Sequence, residues 1–303
     1  MEIQLKNKDV KHCLIGQKCY NSKYVCEDAI QEKGQKMKQL KPEEILEQTI
    51  NSGVAKSEGS FRKLFLLGIM AGMFIAFGGA AANMCSYYFL SNPATAGIGR
   101  MISGLIFPAG LVMVVLAGGE LFTGNCMMIA GVIDGKISVK GMLRNWVIVY
   151  ISNFIGGIII AWVFVCSGLI GTGEGMLEAV TVSSAAAKVS LPFGHAFLRG
   201  ILCNILVCIA VWIGTGADST VGKIFGMFFP IWAFVAAGYE HSVANMYFVS
   251  AGLFAADGGA SIGLTWPAFL INNLIPVTLG NIAGGGIMVA AVYYFALKEK
   301  KNE

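Results

Sequence analysis

The feature that most restricts this chain is the scarcity of charge in its long central part. Between residues 64 and 297 it carries seven acidic and seven basic residues, whereas residues 1–63 carry 21 charged side chains. A membrane span needs ~20 mostly apolar residues. Six segments qualify: 64–90, 101–131, 145–170, 195–214, 222–254 and 268–296. The sequence therefore predicts an all-α polytopic membrane protein with six transmembrane helices.

Basic residues in the short loops predict the orientation in the membrane. The loop 132–144 contains Lys136, Lys140 and Arg144, and the loop on the same side after span four contains Lys223. Because Lys- and Arg-rich short loops stay in the cytoplasm, and because six spans leave both termini on one side, we expect both termini in the cytoplasm. The expected location is the inner (plasma) membrane, which the chain crosses several times.

The ends of the chain differ from its apolar part. Residues 1–40 are polar and lysine-rich and lack the apolar core of a signal peptide, so we expect a disordered cytoplasmic extension, unless Met37 is the true start. Residues 41–63 place Leu46, Ile50 and Val54 at helical spacing, which predicts an amphipathic helix along the cytoplasmic interface. Residues 64–297 form the six-helix domain, and 298–303 a cytoplasmic tail.

Matching motifs in the two halves of the chain predict an inverted repeat. The segments GGELFTGN (118–125) and GYEHSVAN (238–245) share G-x-E followed by asparagine, and each follows a Phe-Pro pair. NFIGG (153–157) in the third span matches NIAGG (281–285) in the sixth. Successive three-helix halves insert with opposite orientations, so we expect the second and fifth helices to be interrupted at G-x-E and to meet near the midplane.

Polar residues mark both interruptions. We interpret Glu120, Asn125, Glu240 and Asn245 as structural, with the glutamates accepting hydrogen bonds from backbone N–H groups that the interruptions free. His241 departs from the repeat because Leu121 occupies its place in the first half. We expect His241 to line a path through the protein; the alternative is a buried histidine held by a backbone carbonyl.

Four motifs together resemble the formate/nitrite transporter family of pentameric anion channels. They are GGELFTGN (118–125), LRGILCNILVCIAVW (198–212), GYEHSVANM (238–246) and NNLIPVTLGNIAGGG (272–286). The resemblance covers about 41–297, so 64–297 would be the channel domain. It implies an aquaporin-like protomer with six helices, of which the second and fifth are interrupted, and a homopentamer with one pore in each subunit.

The resemblance also implies which residues form the pore. Thr123 would face His241 across it, Asn204 would match the asparagine of the fourth helix, and Lys188 the lysine ahead of that helix. The apolar positions of the interrupting loop and the constrictions would be Leu121, Phe122, Phe107, Leu111, Val207 and Phe234.

These residue types suggest how an anion would cross. Lys188 would raise the local anion concentration. A constriction of apolar side chains, by contrast, strongly opposes the passage of an ion that has lost its hydration water. A weak acid avoids this barrier by taking up a proton, and histidine titrates near neutral pH. We expect transport of formate, hydrosulfide or nitrite, with proton transfer or charge compensation at His241. The sequence leaves open which anion is carried and whether the protein is a channel or a proton-coupled carrier.

Other classes of protein fit less well. An aquaporin-like channel for neutral solutes would carry two Asn-Pro-Ala turns, and none occurs in the sequence. An enzyme would need a metal or nucleophile constellation, and the eight cysteines include no CxxC pair. We therefore expect no enzyme activity, cofactor or metal. The expected partners are small monovalent anions and the lipid bilayer, with no nucleic acid.

Overall fold

The computed structural model describes residues 39–256 and 262–298. The extension expected over 1–38 and the last residues of the tail, 299–303, lie outside the described residues. The described part contains helices and no strand. In chain order the helices are α1 (Pro42–Ser57), α2 (Phe61–Leu90), α3 (Ala96–Gly118), α4 (Phe122–Ile133), α5 (Val139–Cys166), α6 (Met176–Val189), α7 (Phe193–Gly216), α8 (Thr220–Ala237), α9 (Ser242–Ala255) and α10 (Trp266–Leu297).

Six of these helices are long and apolar enough to cross a membrane, which confirms the predicted all-α, six-span class. They are α2, α3, α5, α7, α8 and α10. Three of them begin at a serine whose hydroxyl accepts a backbone N–H of the first turn: Ser60, Ser138 and Ser219. These caps move two predicted bounds, because α2 starts at Phe61 and α5 at Val139. Lys140 and Arg144 are therefore helical rather than part of a loop.

The segment between the third and fourth spans contains a helix, α6, where only a loop was predicted. It begins after Gly175, whose φ of 84° closes the preceding turn, and its buried residues include Leu177 and Ala185. Lys188 lies in its last turn. Lys188, which was expected ahead of the fourth span, is therefore carried by a helix packed against the core.

The two interruptions occur where the sequence predicts them. Helix α3 ends at Gly118 with φ +90°, and α8 is capped by Gly238 with φ +73°. Glycine adopts this left-handed conformation without the steric cost that a side chain adds, which explains the first letter of G-x-E. Extended backbone at Leu121 and His241 then leads into α4 and α9.

Glycines bring the remaining helices into backbone contact. A Cβ atom on Gly72 of α2 would overlap the carbonyl oxygen of Asn153 in α5. A Cβ atom on Gly280 of α10 would overlap the carbonyl oxygen of Phe197 in α7. The pairs α2–α5 and α7–α10 are equivalent in the two halves, so each half holds its interrupted helix with the same close pair.

Helix α1 packs over the end of the helix bundle. Ile45, Leu46 and Ile50 are buried against a cluster that includes Met127 and Trp212, while Val54 of the predicted apolar face is half-buried. The contact brings the C-terminal end of α1, and with it Lys56, to the first interruption.

Candidate functional site

Two cavities of similar size lie on the two interruptions. We call them the Lys56 cavity, of about 390 Å³, and the Lys188 cavity, of about 380 Å³. Among the residues lining the Lys56 cavity are Lys56, Leu111, Leu121, Asn125 and Lys223. Among those lining the Lys188 cavity are Arg100, Phe107, Lys188, Phe234, Glu240 and His241. The inverted repeat thus produces one cavity for each interrupted helix.

His241 and Thr123 join the two interruptions. His241 Nε2 lies 2.9 Å from Thr123 Oγ1, and both residues are buried. His241 is also the N-cap of α9, because its Nδ1 accepts the N–H of Ala244 at 3.0 Å. A backbone N–H can only donate, so Nδ1 carries no proton in this arrangement. The ring is therefore neutral, and its Nε2–H donates to the threonine hydroxyl.

Asn204 holds the first interruption against α10. Its Nδ2 donates to the carbonyl of Thr123 at 3.1 Å and to the carbonyl of Asn281 at 2.7 Å. The side chain is fully buried, and its Oδ1 has no hydrogen-bond partner among the described residues. Asn204 therefore positions the backbone that carries Thr123.

A polar cluster surrounds the carboxylate of the second interruption. Lys188 Nζ lies 2.9 Å from Glu240 Oε1, and Asn245 Nδ2 donates to Glu240 Oε2 at 2.6 Å. Asn273 accepts from Asn245 at 2.9 Å and donates to the backbone carbonyl of Lys188 at 3.0 Å. The carboxylate is thus neutralised by one lysine and held by two asparagines.

The first interruption contains the same cluster. Lys56 Nζ lies 3.4 Å from Glu120 Oε2 and donates to Asn125 Oδ1 at 2.6 Å. Asn125 Nδ2 donates to Glu120 Oε2 at 2.8 Å and to Asn145 Oδ1 at 2.9 Å. Asn145 Nδ2 donates to the carbonyl of Lys56 at 3.1 Å. Each lysine, glutamate and asparagine of one cluster therefore has its equivalent in the other.

Among the described residues, neither Glu120 nor Glu240 accepts a backbone N–H group, so that part of the prediction is wrong. Asn153 Oδ1 accepts the N–H of Phe122, and Asn281 Oδ1 accepts that of Ser242, both at 2.9 Å. The reason lies in the chemistry of the two groups. An amide accepts and donates at once, so it can satisfy both the N–H and neighbouring carbonyls, whereas an ionised carboxylate only accepts and needs lysine or amide donors.

Aromatic rings close the space beside His241. The rings of Phe107 and Phe234 meet edge to face, with their centroids 5.7 Å apart. The Phe234 ring stacks on the imidazole of His241, with a centroid distance of 5.9 Å. Leu111 and Leu121 line the opposite cavity. Thr123 and His241 therefore lie between apolar side chains that face both cavities.

Two other residues implied by the family resemblance belong to the packing around this site. The centroid of the Phe122 ring lies 6.0 Å from that of Trp146 and 4.9 Å from that of Tyr150, both in edge-to-face contacts. Val207 is buried, and neither residue lines the two cavities described above. Phe122 thus anchors α4 against α5.

Sequence reasoning missed three members of the polar clusters, namely Lys56, Asn145 and Asn273. A signal was present, because Asn145 precedes Asn153 by eight residues and Asn273 precedes Asn281 by the same number. The lysines were harder to pair, since Lys56 lies on α1 and Lys188 on α6, outside the six spans.

Comparison with known proteins places the chain in a family. A sequence model described as Formate/nitrite transporter matches residues 43–295. A probable formate transporter of Methanothermobacter thermautotrophicus is 42% identical over 259 residues, covering 80% of this chain and 92% of that protein. A solved FNT family ion channel has a TM-score of 0.74 at 28% identity, covering 84% of this chain and 98% of that one. A pentameric formate channel with formate bound has a TM-score of 0.68 at 35% identity, covering 78% and 97%. The chain therefore belongs to the formate/nitrite transporter family of membrane transporters and channels.

Proposed function

We propose that the chain forms a homopentamer in which each protomer conducts a small monovalent weak-acid anion, with formate as the first candidate. The observation that carries the proposal is the bond between Thr123 and His241, which joins the two interruptions between the Lys56 and Lys188 cavities. The relatives named for formate transport and the pentameric solved structure support the choice of substrate and assembly.

Protonation of the anion explains how it passes the apolar residues. A formate ion leaving the Lys188 cavity meets Phe107 and Phe234, where it would lose water without gaining an ion partner. Formic acid carries no charge and avoids most of that penalty. A substrate oxygen that displaces the Thr123 hydroxyl would accept a hydrogen bond from the Nε2–H of His241, and the Thr123 hydroxyl would then donate a hydrogen bond to the second oxygen.

The cap of α9 restricts the role of His241. A second proton, on Nδ1, would face the N–H of Ala244 and remove its acceptor. Leaving such a buried donor unpaired costs about 1–3 kcal/mol. We infer that the resting ring is a hydrogen-bond donor to the substrate. Only when the cap is released can Nδ1 take up a proton, which gives a transient cation able to pass its Nε2 proton to the substrate. The proton on the acid then comes from this transient cation, so the flux depends on pH through His241.

Uptake into proteoliposomes tests the proposal. Formate, nitrite and hydrosulfide would be offered separately, at several pH values, to wild type, His241→Phe and the matched control His195→Phe. His195 is exposed at the start of α7 and lines neither cavity. We expect wild-type flux to rise as pH falls, and the pH dependence to disappear in His241→Phe but not in the control. Unchanged flux and pH profile in His241→Phe would remove His241 from the mechanism.

Thr123→Val tests the other side of the same bond. Valine keeps the volume but removes the hydroxyl 2.9 Å from His241. We expect flux to fall by about tenfold or more, as for the loss of one good hydrogen bond in a dry site. Unaltered flux and substrate preference would make Thr123 structural.

Further measurements separate the neighbouring possibilities. Uphill formate movement driven by a pH gradient would identify a proton-coupled carrier, whereas unitary currents in planar bilayers would identify a channel. Flux of water or glycerol without anion flux would favour an aquaporin-like pore.

We also propose that both termini, and with them the Lys56 cavity, face the cytoplasm of the inner (plasma) membrane. Protease digestion of the N-terminal residues in inside-out but not right-side-out vesicles tests this orientation.

A further inference from the structure

Each cavity is lined by a second basic residue besides the lysine of its polar cluster. Arg100 lines the Lys188 cavity, and Lys223 lines the Lys56 cavity. Arg100 lies near the start of α3 and Lys223 near the start of α8. These helices are the first parts of the two interrupted spans. The two cations therefore occupy corresponding places in the inverted repeat.

The cluster lysines are already neutralised, whereas these two residues are not. Lys188 and Lys56 each lie within 4 Å of a glutamate. Within residues 39–256 and 262–298, neither Arg100 nor Lys223 makes an ion pair. Asp218, five residues before Lys223, is exposed and does not line the Lys56 cavity. Counting only the residues that the structure describes, each cavity thus keeps one net positive charge, which comes from Arg100 or Lys223.

We propose that Arg100 and Lys223 are the residues that attract the anion, one at each mouth, and that Lys188 and Lys56 serve mainly to hold the interruptions. The inference rests on the proposed anion transport. A cleft with low-dielectric walls focuses the field of a lone charge and raises the local concentration of the oppositely charged substrate. An ion pair is a dipole whose field falls off faster with distance, so it attracts a distant anion much less.

Two neutral variants, Arg100→Gln and Lys223→Gln, test the inference. Formate flux would be measured against concentration in right-side-out and inside-out membrane vesicles. We expect the half-saturating concentration to rise about three- to tenfold on the side of the altered cavity, with the maximal flux unchanged. Added salt should raise the half-saturating concentration of wild type towards that of the variants, because salt ions screen a charge at an open mouth.

Matched controls come from basic residues that line neither cavity. Arg199→Gln serves for Arg100, since Arg199 is exposed on α7, and Lys140→Gln serves for Lys223, since Lys140 is exposed on α5. Arg100→Lys and Lys223→Arg keep the charge and should restore wild-type kinetics. If a Gln variant misfolds, the charge-keeping variant of the same residue and its salt dependence still decide the question.

The outcomes separate this inference from the proposed function. Raised half-saturation confined to the altered side supports it. Wild-type kinetics in both Gln variants, or equal effects in the Arg199 and Lys140 controls, would overturn it while leaving anion transport in place. A wild type that carries none of the three anions would instead overturn the proposed function. A fall in maximal flux at unchanged half-saturation would also overturn the inference, because it would make these residues part of the scaffold.

Discussion

Replacing Asn281 by alanine should destabilise the protein through one identifiable set of hydrogen bonds. Its Oδ1 accepts the N–H of Ser242 at 2.9 Å, and its Nδ2 donates to the carbonyls of Gly200 at 2.8 Å and Glu240 at 3.0 Å. The side chain is fully buried. Alanine would leave these three backbone groups without their partner at the second interruption.

The expected cost follows from counting what remains unpaired. The carbonyl of Gly200 lies within a helix, so the groups that suffer most are the Ser242 N–H and the Glu240 carbonyl in the interruption. Each buried unsatisfied group costs about 1–3 kcal/mol. For the two groups together we expect a loss of about 2–6 kcal/mol, or a melting temperature lowered by roughly 5–20 °C. Asn153→Ala should cost the same, because Asn153 makes the equivalent bonds with Phe122, Gly68 and Glu120.

Thermal unfolding of the purified protein in detergent, followed by loss of the monodisperse size-exclusion peak, measures this effect. Asn83→Ala is the control, since Asn83 faces the Lys188 cavity and makes no side-chain hydrogen bond among the described residues. We expect the control to change stability by less than about 0.5 kcal/mol. If Asn281→Ala melts at the same temperature as Asn83→Ala, water in the cavity replaces the lost amide and our account of the interruption is wrong. A large difference between Asn281→Ala and Asn153→Ala would refute the equivalence of the two halves.

Two further predictions concern the frame around the pore. Gly280→Ala should destabilise by about 1–3 kcal/mol or more, because its Cβ would overlap the carbonyl of Phe197, whereas Gly194→Ala has free space and should be neutral in the same melting assay. At the end of α4, desolvation raises the pKa of Asp134, but hydrogen bonds from Lys298 and Lys136 outweigh it and hold that pKa below 3.8. Because the pKa is lowered in the folded chain, these ion pairs stabilise fully above about pH 4 and fail as pH falls through the folded value. Asp134→Asn should lower stability at neutral pH and remove this acid-induced loss, which melting curves from neutral to acidic pH would show.

The parts of the fold set by apolar length and by backbone conformation were predictable. The parts set by contacts between helices distant in sequence were less so. Apolar length alone predicts the six spans, and Gly118 and Gly238 mark the interruptions because their backbone conformation favours glycine. Helix α6 was missed because it is a short helix inside a segment that reads as a connection between spans. Its position, and that of Lys188 on it, results from packing against α9.

The candidate site shows the same division. Glu120 and Glu240 were predicted to be structural, and their predicted hydrogen-bond partners were wrong, because a sequence does not show which side chain of another helix supplies a donor. Lys56 comes from a helix outside the membrane part and reaches the first interruption only through the packing of α1. The orientation of His241 was likewise hidden, since only the coordinates show that Nδ1 caps α9 while Nε2 faces Thr123.

The equivalence of the two polar clusters has a consequence for the direction of flow. A pore whose charged groups repeat on both faces has almost no electrical polarity of its own, so equal and opposite concentration gradients should drive similar fluxes. Net movement would then reverse whenever the concentration gradient reverses. Rectification, where it occurs, must come from the places where the halves differ, and the exchange of Leu121 for His241 is the difference nearest the midpoint.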